Sequence, residues 1–191
     1  MPLRPDYILL SFALALITGL ISPRAAAQDS SAVETVPEEQ VEVARAAIDW
    51  VRDNYFARAS RAPDRHTFRI DREAVAIVEP ADNPEFSGGR SAARAHARAV
   101  ADAMGVPYDR SEAFLDCTDP EPGQLRKCSF RRGIESYFRF DKLRLRNAEA
   151  HVRVVWMFIY ERDLTYRSFT LRLVRANDTW SVREVLRREI E

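Results

Sequence analysis

From residue 136 onward the chain alternates apolar and polar residues almost without interruption, and that pattern commits its C-terminal part to a sheet. Ala150, Val152, Val154, Trp156, Phe158 and Tyr160 occupy every second position, so one side of a long strand is apolar throughout. The other side carries His151, Arg153, Val155, Met157 and Ile159, polar at first and apolar at the far end. The second half of this strand therefore needs cover on both faces, from another element or from a second copy of the chain. Upstream, Phe138 and Phe140 alternate, then Leu143 and Leu145. The phase slips by one residue near Asp141 and Lys142, which predicts a bulge or bend. Asn147-Ala148 is a turn candidate, and residues 161–164 form a hairpin loop. Phe169, Leu171 and Leu173 face inward on the next strand, with Ser168, Thr170 and Arg172 outward. Asn177 and Asp178 both tolerate positive φ and predict a tight turn. Trp180, Val182, Val185, Leu186 and Ile190 make the last strand, with a bend expected among Arg187, Arg188 and Glu189.

The N-terminal half reads as helices. Thr35, Pro37 and Glu38 have the spacing of a capping box with proline in the first turn. Val41, Ala44, Ile48, Val51 and Tyr55 then form one apolar stripe on a helix over residues 37–56. A second helix is expected over residues 92–104, where seven alanines favour the helix and Gly105 suits its end. Ala93, Ala97, Val100 and Met104 would face inward, and their small size lets the helix lie close to its support. Between the helices, Phe68 and Ile70 alternate as on a strand, residues 74–78 are a second strand candidate, and Pro80 and Pro84 mark a loop. The expected fold class is α+β, with N-terminal helices packed on a curved, mostly antiparallel sheet of about four to six strands.

The first 27 residues read as an address. Arg4 precedes an uncharged 15-residue run, residues 7–21, which is followed by Ala25-Ala26-Ala27. That order is a secretory signal peptide, and the run is shorter than a comfortable membrane span. Residues 28–36 are then a flexible leader and residues 37–191 a single domain, secreted or periplasmic and without a stable membrane anchor after cleavage. Cys117 and Cys128 bracket ten residues, and in an exported chain they favour a disulfide. Closing that loop is worth about 3 kcal/mol by chain entropy.

Charge excludes some functions. The chain has 29 basic and 29 acidic residues, so nothing global draws it to nucleic acid or anionic lipid. The balance is uneven, however. Residues 28–60 carry a net −4 and residues 131–191 a net +5. All but two of the basic residues, Lys127 and Lys142, are arginine, whose fork suits carboxylates and phosphates.

The segment 169–185, Phe-Thr-Leu-Arg-Leu-Val-Arg-Ala-Asn-Asp-Thr-Trp-Ser-Val-Arg-Glu-Val, resembles the final hairpin of the nuclear-transport-factor-2-like superfamily. There an alternating strand ends in Leu-x-Arg, turns, and resumes with Trp-x-Val. The resemblance covers about the last 45 residues and implies a conical pocket between helix and curved sheet. It transfers no catalytic position. A strand between the helices and the cysteine loop depart from the family pattern, so a cystatin-type helix on a sheet is the competing arrangement. The cystatin signature Gln-x-Val-x-Gly is not met, since residues 40–44 read Gln-Val-Glu-Val-Ala.

Candidate functional residues follow from this frame. Trp156, Phe158 and Tyr160 form an aromatic row that is either core or the lining of a pocket for an apolar or flat ligand. Tyr137 or Tyr166 would supply a hydrogen bond and Arg153 a charge. Arg153, Arg172 and Arg183 read outward on three strands, as a cationic patch or as solvated surface. Arg90, Arg94 and Arg98 recur every four residues, as a solvated face or an anion ladder. Ser87-Gly88-Gly89 precedes a helix but lacks the rest of a phosphate loop. His66 reads as solvated, His96 as a boundary residue at the edge of the buried stripe, and His151 as the start of the long strand. No spacing supports a metal site, a serine nucleophile or a glycosidase carboxylate pair. The expectation is a non-enzymatic module without metal or cofactor that binds a small molecule or a protein. The alternatives are an acid–base enzyme using the same pocket, and a structural protein that dimerises through residues 155–159.

Overall fold

The computed structural model describes residues 35–56, 68–118, 127–160 and 163–190. The expected signal peptide, most of the leader, His66, the segment between the cysteines and the tip of the 161–164 loop lie outside the described residues. The described residues belong to one compact unit, Val33–Glu191.

The C-terminal meander forms as the alternation requires. Strands β6 (Ser136–Arg146), β7 (Glu149–Tyr160), β8 (Asp163–Ala176) and β9 (Thr179–Ile190) pair antiparallel in chain order. The β6–β7 register shifts between Phe140 and Lys142, so the phase slip at Asp141 is a bulge. Asn147 closes the first turn with φ 54°, and Asn177 and Asp178 close the last with φ 50° and 57°. The last strand runs on to Ile190, and its irregularities lie earlier than expected. Register shifts skip Arg183 and Leu186, so Val185 faces inward in place of Glu184 and Leu186, and the phase is restored at Arg188 and Ile190.

The N-terminal half departs more from expectation. Helix α1 spans Glu38–Tyr55, with Pro37 rather than Thr35 at the N-cap. Its buried face is Val43, Ala44, Ala47, Ile48, Val51 and Tyr55. Phe68 makes a single parallel bridge to Phe56 and no strand forms over Phe68 and Ile70. Strand β1 (Val75–Val78) is buried at every position and pairs parallel with β6. Two short strands, β2 (Glu85–Phe86) and β3 (Tyr108–Asp109), pair parallel with β6 and β1. The sheet is thus mixed, mostly antiparallel, with seven strands among the described residues, beyond the four to six expected. Helix α2 spans Gly89–Met104 and ends, as read, on left-handed Gly105 at φ 66°.

Both helices pack on one face of the sheet, and the main core lies between them. The other face carries a second, smaller layer. A 3-10 turn at Ser111–Phe114 leads into a hairpin of β4 (Leu115–Thr118) and β5 (Lys127–Phe130). Phe114, Leu115, Phe130 and Ile134 pack there with Tyr137, Met157, Ala76 and Val78. Met157, in the doubly apolar end of β7, is thus packed against the chain's own outer layer, and β1 is a continuous apolar run because it is sandwiched on both faces. Cys117 and Cys128 face each other across this hairpin and form the disulfide, with Cα atoms 4.1 Å apart. Reduction should lower the melting temperature by about 4–8 °C, the equivalent of about 2 kcal/mol, since the packing of Phe114 and Phe130 preserves part of the loop's order. Calorimetry with and without a phosphine reductant checks this; an unchanged curve would mean that the bond adds nothing to the outer layer. A disulfide is compatible with an extracellular or periplasmic location. No helix among the described residues is long and apolar enough to cross a membrane.

Candidate functional site

The sheet separates the residues that the aromatic-pocket reading brings together. Trp156 and Phe158 lie on the helix-facing side, stacked with centroids 4.1 Å apart, and both are fully buried. Tyr160, two residues on, is 49% exposed. Tyr137 pairs with Met157 on the opposite face, where it meets Phe130 at 5.8 Å, and burial pushes its hydroxyl pKa up to about 12. Arg153 also lies on that outer face, where it donates to Ser168 Oγ at 3.0 Å and to Glu189 at 2.8 Å. Tyr137 and Arg153 therefore cannot share a site with Trp156, and neither can Tyr166, which is opposite Met157.

In the other arginine arrays, Arg172, Arg90 and Arg94 are paired with carboxylates. Arg172 pairs with Glu149 at 2.9 Å and Glu184 at 3.6 Å, and His151 joins Glu149 at 3.2 Å. The Arg90–Arg94–Arg98 row lines no anion ladder. Arg90 binds Asp82 and Arg94 binds Glu79, both at 3.0 Å, while Arg98 lies over the Tyr108 ring. A charged cleft of about 580 Å³ beside them is lined by Arg110, Arg139, Glu79 and Glu112, and there too Arg139 is held by Asp141 at 2.8 Å.

One arginine is treated differently. Arg167 stands on β8 in the inward row with Phe169, Leu171 and Leu173, and it is only 9% exposed. Its register partners are Trp156 on β7 and Ile190 on β9. The guanidinium carbon lies 4.7 Å from the Phe68 ring centre, 5.2 Å from Tyr55 and 5.9 Å from Phe158. It has no ion pair or hydrogen bond from any described residue, its buried Nε included. Arg188, inward on β9 opposite Phe169, lies 5.6 Å from the centre of the same Tyr55 ring. Burial lowers the Arg167 pKa, Tyr55 opposes that and Arg188 adds to it, yet an arginine stays charged at neutral pH. Burial likewise raises the Tyr55 pKa, against the pull of Arg188 and Arg167.

This arrangement has local causes. Tyr55 ends α1, so the helix stops short of the sheet's end and leaves the last inward positions of β7, β8 and β9 beyond its cover. There the inward register positions are Phe158 and Tyr160 on β7, Asp163, Thr165 and Arg167 on β8, and Arg188 and Ile190 on β9; Ile190 is 60% exposed. Phe68 lies against them, 4.5 Å from Phe158 and 5.3 Å from Tyr160. Two cations and a ring of aromatic surface thus share one partly open corner. Sequence reasoning missed Arg167 because the inward row of β8 was counted from Phe169. Extending it one step back would have placed an arginine in an apolar phase, which is the signal.

His96 is deeper than expected. It is 1% exposed, between the Phe86 and Phe140 rings, and its Nε2–H donates to the Gln40 carbonyl at 3.2 Å, tying α2 to α1. Its Nδ1 has no partner, and burial lowers its pKa to about 4. It is a buried core histidine rather than a boundary one. No protein-family model, curated protein or solved structure matches the chain.

Proposed function

We propose that the protein is an exported, non-enzymatic α+β module that holds a small ligand at the open corner of its helix-facing sheet surface. The arrangement would be that of a nuclear-transport-factor-2-like or cystatin-like fold. The observation that carries this reading is the corner itself: Tyr160 and Ile190 remain exposed beside the buried rings of Phe158 and Trp156, where α1 ends at Tyr55. Exposed aromatic and aliphatic surface that continues a core is the usual wall of a ligand site. Arg167 and Arg188, the charged groups against its rings, are hydrogen-bond donors and not proton acceptors. That favours binding over acid–base turnover.

Native mass spectrometry of the mature protein, exported to a periplasm and purified gently, tests the reading. The expected result is a monomer that carries a mass excess lost on denaturation. A bare dimer that dissociates on dilution would replace it with a structural role.

A further inference from the structure

We infer that the corner recognises a carboxylate carried on an apolar body, with Arg167 as the fork that binds it and Arg188 as a second, outer cation. This deepens the ligand-binding reading and rests on it. Among the described residues, Arg167 lacks what most of the other arginines have. Arg90, Arg94, Arg139, Arg153, Arg172 and Arg175 each hold a carboxylate within 3.0 Å. Arg167 is more buried than any of them and holds none.

A charge removed from water without a counter-ion is unfavourable. Three aromatic rings offset part of that penalty through their negative faces. They leave the buried Nε–H unsatisfied. A second cation at the Tyr55 ring, Arg188, makes the spot more positive still.

The surroundings select the anion. A planar carboxylate matches the guanidinium fork with two parallel hydrogen bonds. A phosphate brings about two charges and three oxygens. The flanking Phe68 and Phe158 rings offer those oxygens no donor, and they would strip its hydration. The same rings, with Tyr160 and Ile190 at the open side, suit an alkyl or phenyl body attached to the carboxylate.

Isothermal titration of the mature, disulfide-intact protein tests this with octanoate and 3-phenylpropionate, their uncharged alcohols octanol and 3-phenylpropanol, and inorganic phosphate. The acids should bind at one site, about tenfold or more tighter than the alcohols, and phosphate should not compete. Arg167→Met should reduce the acids to the affinity of the alcohols while raising the melting temperature of the unliganded protein by a few degrees, about 2–5 °C. A purely structural arginine would do the reverse, and a lowered melting temperature would overturn the inference. Arg167→Lys is an independent second variant: it keeps the charge, loses the fork, and should weaken the acids but not the alcohols. Equal binding of acids and alcohols would leave the ligand site standing and remove carboxylate recognition. Binding of neither would remove both, and phosphate competition would point to an oxyanion site of a different kind.

Discussion

Replacing Trp156 by alanine is expected to cost about 4 kcal/mol of unfolding free energy, among the largest effects a single substitution in this chain can have. The indole is completely buried and sits in a ring cluster: Phe158 at 4.1 Å, Phe56 at 5.1 Å, Phe68 at 5.7 Å and Tyr55 at 6.0 Å. Alanine would leave a hole bounded by four aromatic residues from three segments, the end of α1, Phe68 and β7 itself, which cannot all collapse into it. Trp156→Phe should cost far less, about 1 kcal/mol, because a ring is kept and the buried, unpartnered Nε1–H is removed. Urea unfolding at unchanged slope measures both. If Trp156→Ala cost no more than Trp156→Phe, the indole would be a pocket wall with water or ligand behind it. The expected gap places the floor of the ligand corner at Phe158 and makes Trp156 the core beneath it.

Period-2 alternation located β6 to β9, because each strand buries one face against the helices and neighbours in the sheet are neighbours in sequence. The phase slip at Asp141 carried over directly, since a one-residue slip flips every later side chain unless a bulge absorbs it. The parallel strands were not legible. Strand β1 has four residues, β2 and β3 two each, and β1 finds its partner in β6 some sixty residues on. Nothing local marks such a pairing. The Phe68–Ile70 alternation misled for a related reason: both residues are drawn inward by burial rather than by a ladder, and Phe68 finds rings instead of a strand partner.

The candidate site was only partly legible. The row Trp156, Phe158, Tyr160 does share a face, but alternation reports the face and not the depth. Only the end of α1 at Tyr55 decides that Trp156 is interior and Tyr160 is at the opening. Tyr137 and Arg153 were grouped with that row on residue type, and the sheet puts them on its other side. Arg188 was hidden by the two bulges of β9, which exchange the inward residues between Val182 and Arg188. Arg167 needed only one more step of a row already counted.

Acidification should destabilise the fold through His96 well before the carboxylates titrate. Its folded pKa, about 4, lies below the usual 6.5 of an unfolded histidine. The unfolded chain therefore binds the proton first, and stability falls as pH falls through the interval between the two values. Above pH 7 both states are neutral and the residue contributes no pH dependence. The loss should reach about 2 kcal/mol by pH 5 and about 3 kcal/mol by pH 4. Desolvation between Phe86 and Phe140 is the main cause, and the Gln40 carbonyl, which favours the protonated ring, recovers only a fraction. Glu85 and Glu149 are the competing titrations. Their arginine and lysine partners hold both pKa values below the ordinary carboxylate range, so their contribution is lost at lower pH than the window between 7 and 5. His96→Leu fills the same apolar space without a titrating ring and should flatten that window. Urea midpoints at pH 7 and pH 5 for both proteins decide the matter. If the variant kept the full pH dependence, the acid sensitivity would belong to other groups, and the tie between α1 and α2 would tolerate a charged histidine.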